Sequence, residues 1–313
     1  MGTIRVREDT RRLRRMLANG RARILYASIA FRAGRWRVSV TAEAADVNLT
    51  SRHQPRAASD DTGWVGIDRG LSNFLVAATD DCTEVARVDN APRPLRIGLT
   101  RQRRLAKLLS RKQRGSRNYQ DAAARLARHH HRVANIRRHF LHQVTNKLVN
   151  THDRLVIEDL NVAGMMANRR LARAIADTGW ATFGQLLRYK QEWRGGTVVI
   201  ADRWYPSGKR CSACTFVNQE LTLSDRVFAC RCGFRADRDH NAAANLAAWP
   251  RIYPAYPIDP RTPKREAGSP MPADGMALAD TLRMPVKPPR MKREPRSTPR
   301  LWRGPTTPEK GGV

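Results

Sequence analysis

From Gly63 to Trp249, short apolar runs alternate with longer segments of helical spacing. WVGID (64–68), FLVAATD (74–80) and TEVARVD (83–89) are strand-length runs separated by turn residues. A long helical region follows. DRLVIEDL (153–160) then predicts a strand, GWATFGQLLRYKQEW (179–193) a helix and TVVIADRWY (197–205) a strand. DHNAAANLAAW (239–249) predicts a last helix. Strands alternating with helices argue for an α/β domain on a mixed sheet.

The flanks differ. Asp9 to Asn19 reads as a short basic helix closed by Gly20, and ILYASIAF (24–31) and RWRVSVTAE (35–43) read as a hairpin turning at Ala33-Gly34. AADVNLTSRHQPRAASDD (44–61) is polar and unpatterned, a linker. The 64 residues from Pro250 to Val313 hold 14 of the 18 prolines and show no sustained period. Such a segment cannot bury enough apolar surface to offset its chain entropy, so it predicts a disordered basic tail. The tail either adds phosphate affinity or is an unselected extension.

Within the helical region, Leu105, Leu108 and Leu109 share one face of a first helix that ends by Gly115. Leu126, Val133, Ile136, Phe140 and Val144 share a face of a second, with arginines and His129–His131 placed elsewhere. The histidine run is assigned no metal. Arg101 to Arg138 carries 13 Lys/Arg and one acid, Asp121. Like charges at helical spacing repel, and a phosphate backbone along two antiparallel helices would relieve that repulsion.

Charge extends this picture to the whole chain. There are 58 Lys+Arg against 28 Asp+Glu in 313 residues, a net charge of +30, and arginine outnumbers lysine 49 to 9. The excess points to a polyanionic partner. No apolar run reaches a membrane span of roughly 18 residues, and the basic N-terminus has no apolar segment of a secretory signal behind it. Five cysteines without a disulfide framework suit a reducing, cytoplasmic setting.

Against this basic background a few acids stand out. Asp68 ends an apolar strand just before Gly70, Glu158 and Asp159 end another, and Asp237 and Asp239 enter the last helix. Each alone is readable as a turn former, an ion-pair partner or a helix cap. Together, on elements able to neighbour one another in one sheet, they suit a Mg²⁺ site acting on phosphate.

The cysteines fall in two close pairs. CSAC sets Cys211 and Cys214 at CxxC spacing, and CRCG sets Cys230 and Cys232 at CxC spacing. That pattern reads as a zinc ribbon with four thiolates on one structural Zn²⁺, one residue short in the second knuckle, with free thiols the alternative. Cys82 is unpaired.

GIDRG (66–70), VIEDLNVAGM (156–165), RWYPSGKRCSAC (203–214) and CGFRADRDHNAAANL (232–246), in this order, resemble the TnpB (OrfB) proteins of bacterial insertion sequences. Those proteins are relatives of type V CRISPR effector nucleases, and the likeness spans roughly residues 5 to 249. The resemblance implies an RNase H-like (RuvC) α/β core with a mixed sheet, inserted basic helices and a zinc ribbon. It implies RNA-guided, Mg²⁺-dependent cleavage of a DNA target, with a noncoding guide RNA as partner. Matched residue by residue, the catalytic, magnesium-holding acids are Asp68, Glu158 and Asp239; Asp239 is preferred to Asp237 by the Asp-x-Asn-Ala-Ala pattern. The zinc ligands are Cys211, Cys214, Cys230 and Cys232. The basic insertion would place Arg101, Arg103, Arg104, Lys107, Arg111, Lys112, Arg114 and Arg117 on nucleic acid.

The implied organisation is a remnant of an oligonucleotide-binding β-barrel over 1–45 and a nuclease core over 63–205 with its basic insertion at 97–150. A zinc ribbon over 206–236, a final core segment over 237–249 and the tail over 250–313 complete it. Three departures from the family pattern are the short second knuckle, the long proline-rich tail and a start inside the barrel. The last of these bears on guide and target recognition more than on chemistry. A nucleic-acid-binding derivative without cleavage, or a decayed element fragment, is the alternative. No oligomeric state is assigned, and rejoining of DNA ends is not implied.

Overall fold

The computed structural model describes residues 9–44, 52–57, 59–222 and 224–254. At its start, α1 (Arg11–Ala18) leads into an antiparallel hairpin of β1 (Ala22–Arg32) and β2 (Arg35–Ala44). Ala33 and Gly34 both have positive φ, 53° and 75°. This is the two-residue turn whose twist matches that of the flanking strands. Ile29, Phe31, Trp36, Val38 and Val40 are all exposed, and the Phe31 and Trp36 rings meet at 5.1 Å. Among the described residues no third strand joins the hairpin. Of the barrel remnant expected over 1–45, the described residues hold a two-stranded antiparallel hairpin.

The segment expected to be a free linker is tied down where it is described. The His53 backbone N–H donates to the Arg194 carbonyl at 2.8 Å, and Arg56 pairs with Asp153 and, at 3.0 Å, with Asp60. The anchors to Asp153 and Arg194 lie 97 and 141 residues along the chain, beyond the reach of local pattern.

The α/β unit is built on β3 (Trp64–Asp68), β4 (Leu75–Thr79), β5 (Glu84–Val88) and two later strands. Between them stand α2 (Pro94–Ser110) and α3 (Arg117–Thr151). Then come β6 (Arg154–Glu158), α4 (Val162–Met166), α5 (Ala172–Thr178), α6 (Trp180–Trp193) and β7 (Thr197–Ala201). The sheet runs β5-β4-β3-β6-β7. Its first three strands are antiparallel neighbours, and β3, β6 and β7 are parallel. α4 and α5 were not expected: they are five and seven residues long, too short for a helical period to show.

Helices cover both sheet faces, which is why the central strands read as unbroken apolar runs. On one face Val65, Ile67, Leu75, Leu155 and Ile157 pack with Leu141 and Leu148 of α3 and Phe183 and Leu187 of α6. On the other lies α7 (Arg238–Ile252), whose Ala243 and Ala244 pack on Val76 and Ala78 and whose Leu246 and Trp249 pack on Trp64 and Val156. Its alanines let the helix ride close to the sheet. A β-carbon added at Gly66 would stand 2.0 Å from the Ala243 carbonyl oxygen.

Two expectations along the helices are corrected. His129 is buried, 8% exposed, whereas Ile136 is 40% exposed. The His129 ring sits against Gly98 of α2, which has no side chain to keep the two helices apart. The predicted tail also begins too early: α7 continues through Pro250 to Ile252. The last turn is held by ring contacts of Trp249 with Tyr205 at 4.7 Å and with Tyr253 at 4.2 Å, which outweigh the missing proline N–H. Residues 255–313, the rest of the expected tail, lie outside the described residues. Among the described residues no helix is long and apolar enough to cross a membrane.

Candidate active site and metal centre

Asp68 and Glu158 end adjacent parallel strands. Ile67 pairs with Ile157, so the next residue of each strand is a carboxylate leaving the same end of the sheet. This is the strand end at which open α/β sheets place ligands. α7 begins at that end and contributes Asp239. All three acids line one cavity of about 350 Å³, with Arg69, Lys209, Arg226 and Arg238 also on its walls. Residues 171 positions apart in the chain are thereby brought together.

The structure also separates the acids that the sequence left paired. Asp237 is the N-cap of α7: its Oδ1 accepts the His240 backbone N–H at 3.0 Å, and Arg87 lies at 3.5 Å. Asp159 is paired with Arg203 at 2.7 Å. Asp239 and Glu158 are left to face the cavity. Asp239 is held by Asn73, whose Nδ2 donates to Oδ2 at 2.9 Å.

Burial pushes the Asp68 carboxyl up to about 8, with repulsion from Asp239 and Glu158 adding to it and Arg69 and Arg238 opposing it. Burial also raises Glu158, against the pull of Arg69. Three carboxylates on one cavity, two of them pushed up by burial, have the chemistry of a site for a hard divalent cation, which prefers oxygen donors and would relieve the repulsion. Their donor chemistry suits Mg²⁺; among the described residues, ligand atoms all within 4.8 Å of one another occur only in a cluster of four cysteines.

Sequence reading passed over Arg69. The residue is 9% exposed, and its guanidinium donates to the Glu158 carbonyl and leaves its Nε without a partner. Only its place directly after Asp68 hinted at a role. Asn73 was missed too, five residues beyond Asp68 in the turn after Gly70.

The four expected zinc ligands converge. The sulfurs of Cys211, Cys214, Cys230 and Cys232 all lie within 4.8 Å of one another. Cys211 to Cys232 is 3.8 Å and Cys214 to Cys230 is 3.5 Å. Zn–S bonds of about 2.3 Å in a tetrahedron require sulfur edges of about 3.8 Å. The short second knuckle closes because Gly233, at φ +91°, donates its N–H to the Cys230 carbonyl at 3.0 Å. The Phe216 backbone N–H holds the Cys214 thiol down at about 7, ready to ligate as thiolate, while burial pushes Cys211 up to about 12. The antiparallel pair β8 (Val227–Ala229) and β9 (Arg235–Asp237) completes the unit. Its core is only Cys211, Leu221 and Phe228, with Cys230 and Phe234 packed against them. So small a core needs a cross-link such as a metal.

The eight cations expected on nucleic acid, Arg101, Arg103, Arg104, Lys107, Arg111, Lys112, Arg114 and Arg117, are all exposed along α2 and the turn into α3. None forms an ion pair with a described residue.

With this geometry in view, the OrfB_IS605 family, described as a probable transposase, matches residues 46–169, and the Cas12f1-like TNB domain matches residues 180–246. A Mycobacterium tuberculosis protein named for RNA-guided DNA endonuclease activity is 38% identical over 255 residues, 80% of this chain and 54% of its own length. InsQ of Escherichia coli K12, likewise named, is 32% identical over 234 residues, 69% of this chain and 54% of its own. A solved Cas12f1–sgRNA–target DNA complex aligns with TM-score 0.45 at 14% identity, covering 71% of this chain and 55% of that one. The chain belongs to the OrfB (TnpB) family of insertion-sequence proteins. It spans about half the length of the curated relatives it matches.

Proposed function

We propose that this chain carries the nuclease portion of a transposon-encoded, RNA-guided DNA endonuclease with an RNase H-like core, partnered by a guide RNA and a DNA target. The observation that carries the reading is the convergence of Asp68, Glu158 and Asp239, from three distant parts of the chain, on one cavity in a strongly basic protein. Those three side chains would hold Mg²⁺, which supplies an activated water and charge neutralisation for phosphodiester hydrolysis. Lys209, Arg226 and Arg238, on the same walls, would take the oxygens of the scissile phosphate. Arg69 ties the β6 end to the residue after Asp68 and keeps two acids in register. The Tyr205 hydroxyl is already committed to the Asn245 carbonyl at 3.2 Å and serves structure. Cys211, Cys214, Cys230 and Cys232 would hold a structural Zn²⁺ that braces the helix bearing Asp239. The exposed cations of α2 would track a nucleic-acid backbone.

The test is plasmid cleavage by protein co-expressed with RNA from the flank of its own element, with Mg²⁺ and an Asp68→Ala control. Cleavage by wild type alone is expected. Equal nicking by both proteins would reject the assigned site, and RNA-dependent binding without cleavage by wild type would favour a binding derivative.

A further inference from the structure

A second cavity, of about 270 Å³, adjoins the first, and Gly70 lines both. We propose that this cavity seats a phosphate of the DNA strand being cut, next to the scissile one. The inference rests on the nuclease reading and extends it to the path of the substrate.

Four arginines line the cavity: Arg93 and Arg96 at the start of α2, Arg170 just before α5 and Arg173 in its first turn. None forms an ion pair with a described residue. Arg93 alone spends a donor nearby, on the Leu71 carbonyl at 3.3 Å. Two acids are also on the wall, Asp89 and Asp177. Asp177 is 4% exposed and fully engaged: its Oδ1 accepts the Leu95 N–H and its Oδ2 the Arg96 N–H, each at 2.9 Å. It thus caps α2 from another helix, so the helix N-terminus is filled and the arginine side chains are what remains to bind an anion.

Four arginines against two acids, Asp89 and Asp177, leave the cavity lining with an excess of two positive charges, which an anion would offset. Arginine forks suit phosphate oxygens in particular. The place of the cavity selects the source of the phosphate. A strand with one phosphodiester at the carboxylates must continue in two directions, and the bare backbone at Gly70 lies on one of them. A β-carbon there would come within 2.8 Å of the Asn73 carbonyl oxygen and 3.9 Å of Asp239 Oδ2, crowding the shared rim. Leu71 and Phe74 add an apolar wall suited to a sugar or base face.

The experiment is anisotropy binding of a labelled single-stranded deoxyoligonucleotide to the full chain, without added divalent cation so that no cleavage intervenes. Changing Arg93, Arg96, Arg170 and Arg173 together to Gln is expected to weaken binding by about tenfold or more, since each guanidinium removed takes a charge-assisted hydrogen bond with it. The slope of log affinity against log salt should become shallower by about 0.7 for each phosphate no longer neutralised. The melting temperature should hold or rise as repulsion is removed. Unchanged affinity and slope would overturn the proposal, as would a fall in melting temperature that accounts for the weaker binding. A loss seen with an RNA oligonucleotide of the same sequence and not with DNA would also overturn it, assigning the cavity to the guide. Failure of the nuclease reading would show separately, as absent cleavage with this binding result intact.

Discussion

Asn241, two residues beyond Asp239, accepts the Ser212 backbone N–H on its Oδ1 at 3.1 Å and so fastens the first cysteine knuckle to the helix that presents the third carboxylate. Its Nδ2 donates to the Arg210 carbonyl at 2.7 Å, and Asn245, one turn on, donates to the Arg210 and Ser207 carbonyls at 2.6 Å and 2.8 Å. Asn241 is 1% exposed, and truncation leaves the Ser212 N–H without its partner while the Arg210 carbonyl keeps its bond from Asn245. Asn241→Ala should cost about 1–3 kcal/mol, the penalty for one donor left unsatisfied, read by urea unfolding. Zinc per chain should stay the same while cleavage falls. Wild-type stability in the variant would mean the latch contributes nothing.

The cysteine cluster itself predicts one bound zinc per chain, measured by metal analysis of purified protein. Cys211→Ala removes the buried ligand and should abolish that zinc and lower the melting temperature. Full metal content in this variant would reject the four-sulfur assignment.

Asp68 links stability to pH. Its carboxyl lies at about 8 in the fold against an ordinary 3.8, so the folded chain binds this proton more tightly than the unfolded one. The resulting stabilisation is complete below pH 3.8 and drains away as pH rises toward about 8. Without added divalent cation, Asp68→Asn should therefore melt higher than wild type near neutrality, with the advantage vanishing in acid. Added Mg²⁺ should narrow the gap by stabilising wild type. Identical melting curves across this range would show that the carboxylates are not electrostatically stressed.

Gly66 is the point of closest approach between sheet and helix. A methyl group there would stand 2.0 Å from the Ala243 carbonyl oxygen and 2.4 Å from the Ala247 nitrogen, both backbone atoms that cannot swing aside. Gly66→Ala should destabilise by about 3 kcal/mol or more, the upper end for overpacking, and yield poorly soluble protein. If it melts like wild type, α7 does not lie on β3 as described.

The basic face of α2 predicts a salt signature. Changing Arg103, Arg104, Lys107 and Arg111 to Gln should flatten the salt dependence of nucleic-acid binding by about 0.7–0.9 for each phosphate left without its cation, depending on whether the strand is single or paired. Circular dichroism should show the helix retained. An unaltered slope would return these residues to the role of a solvated face.

Much of the fold could be read from local pattern because the central strands are covered on both faces. WVGID and RLVIE therefore appear as unbroken apolar runs, and each ends in the acid that reaches the cavity. The hairpin turn was legible at Ala33-Gly34, and the metal cluster in its two cysteine pairs, because both are short-range matters of backbone conformation and spacing. Helix phase was less secure. Nothing local shows that His129 packs inward, since the room for it is made by Gly98 on another helix.

The amino-acid order therefore specifies an α/β chain of the OrfB family, with the acids and cysteines named. The folded chain selects among them. Asp239 faces the cavity and Asp237 caps a helix, Glu158 faces inward and Asp159 is paired, and Asp177 caps α2 from a separate helix. In each case the deciding partner lies far along the chain, where strand register and the close approach of helix to sheet set the distance. Spacing between neighbours in sequence carries no record of that distance.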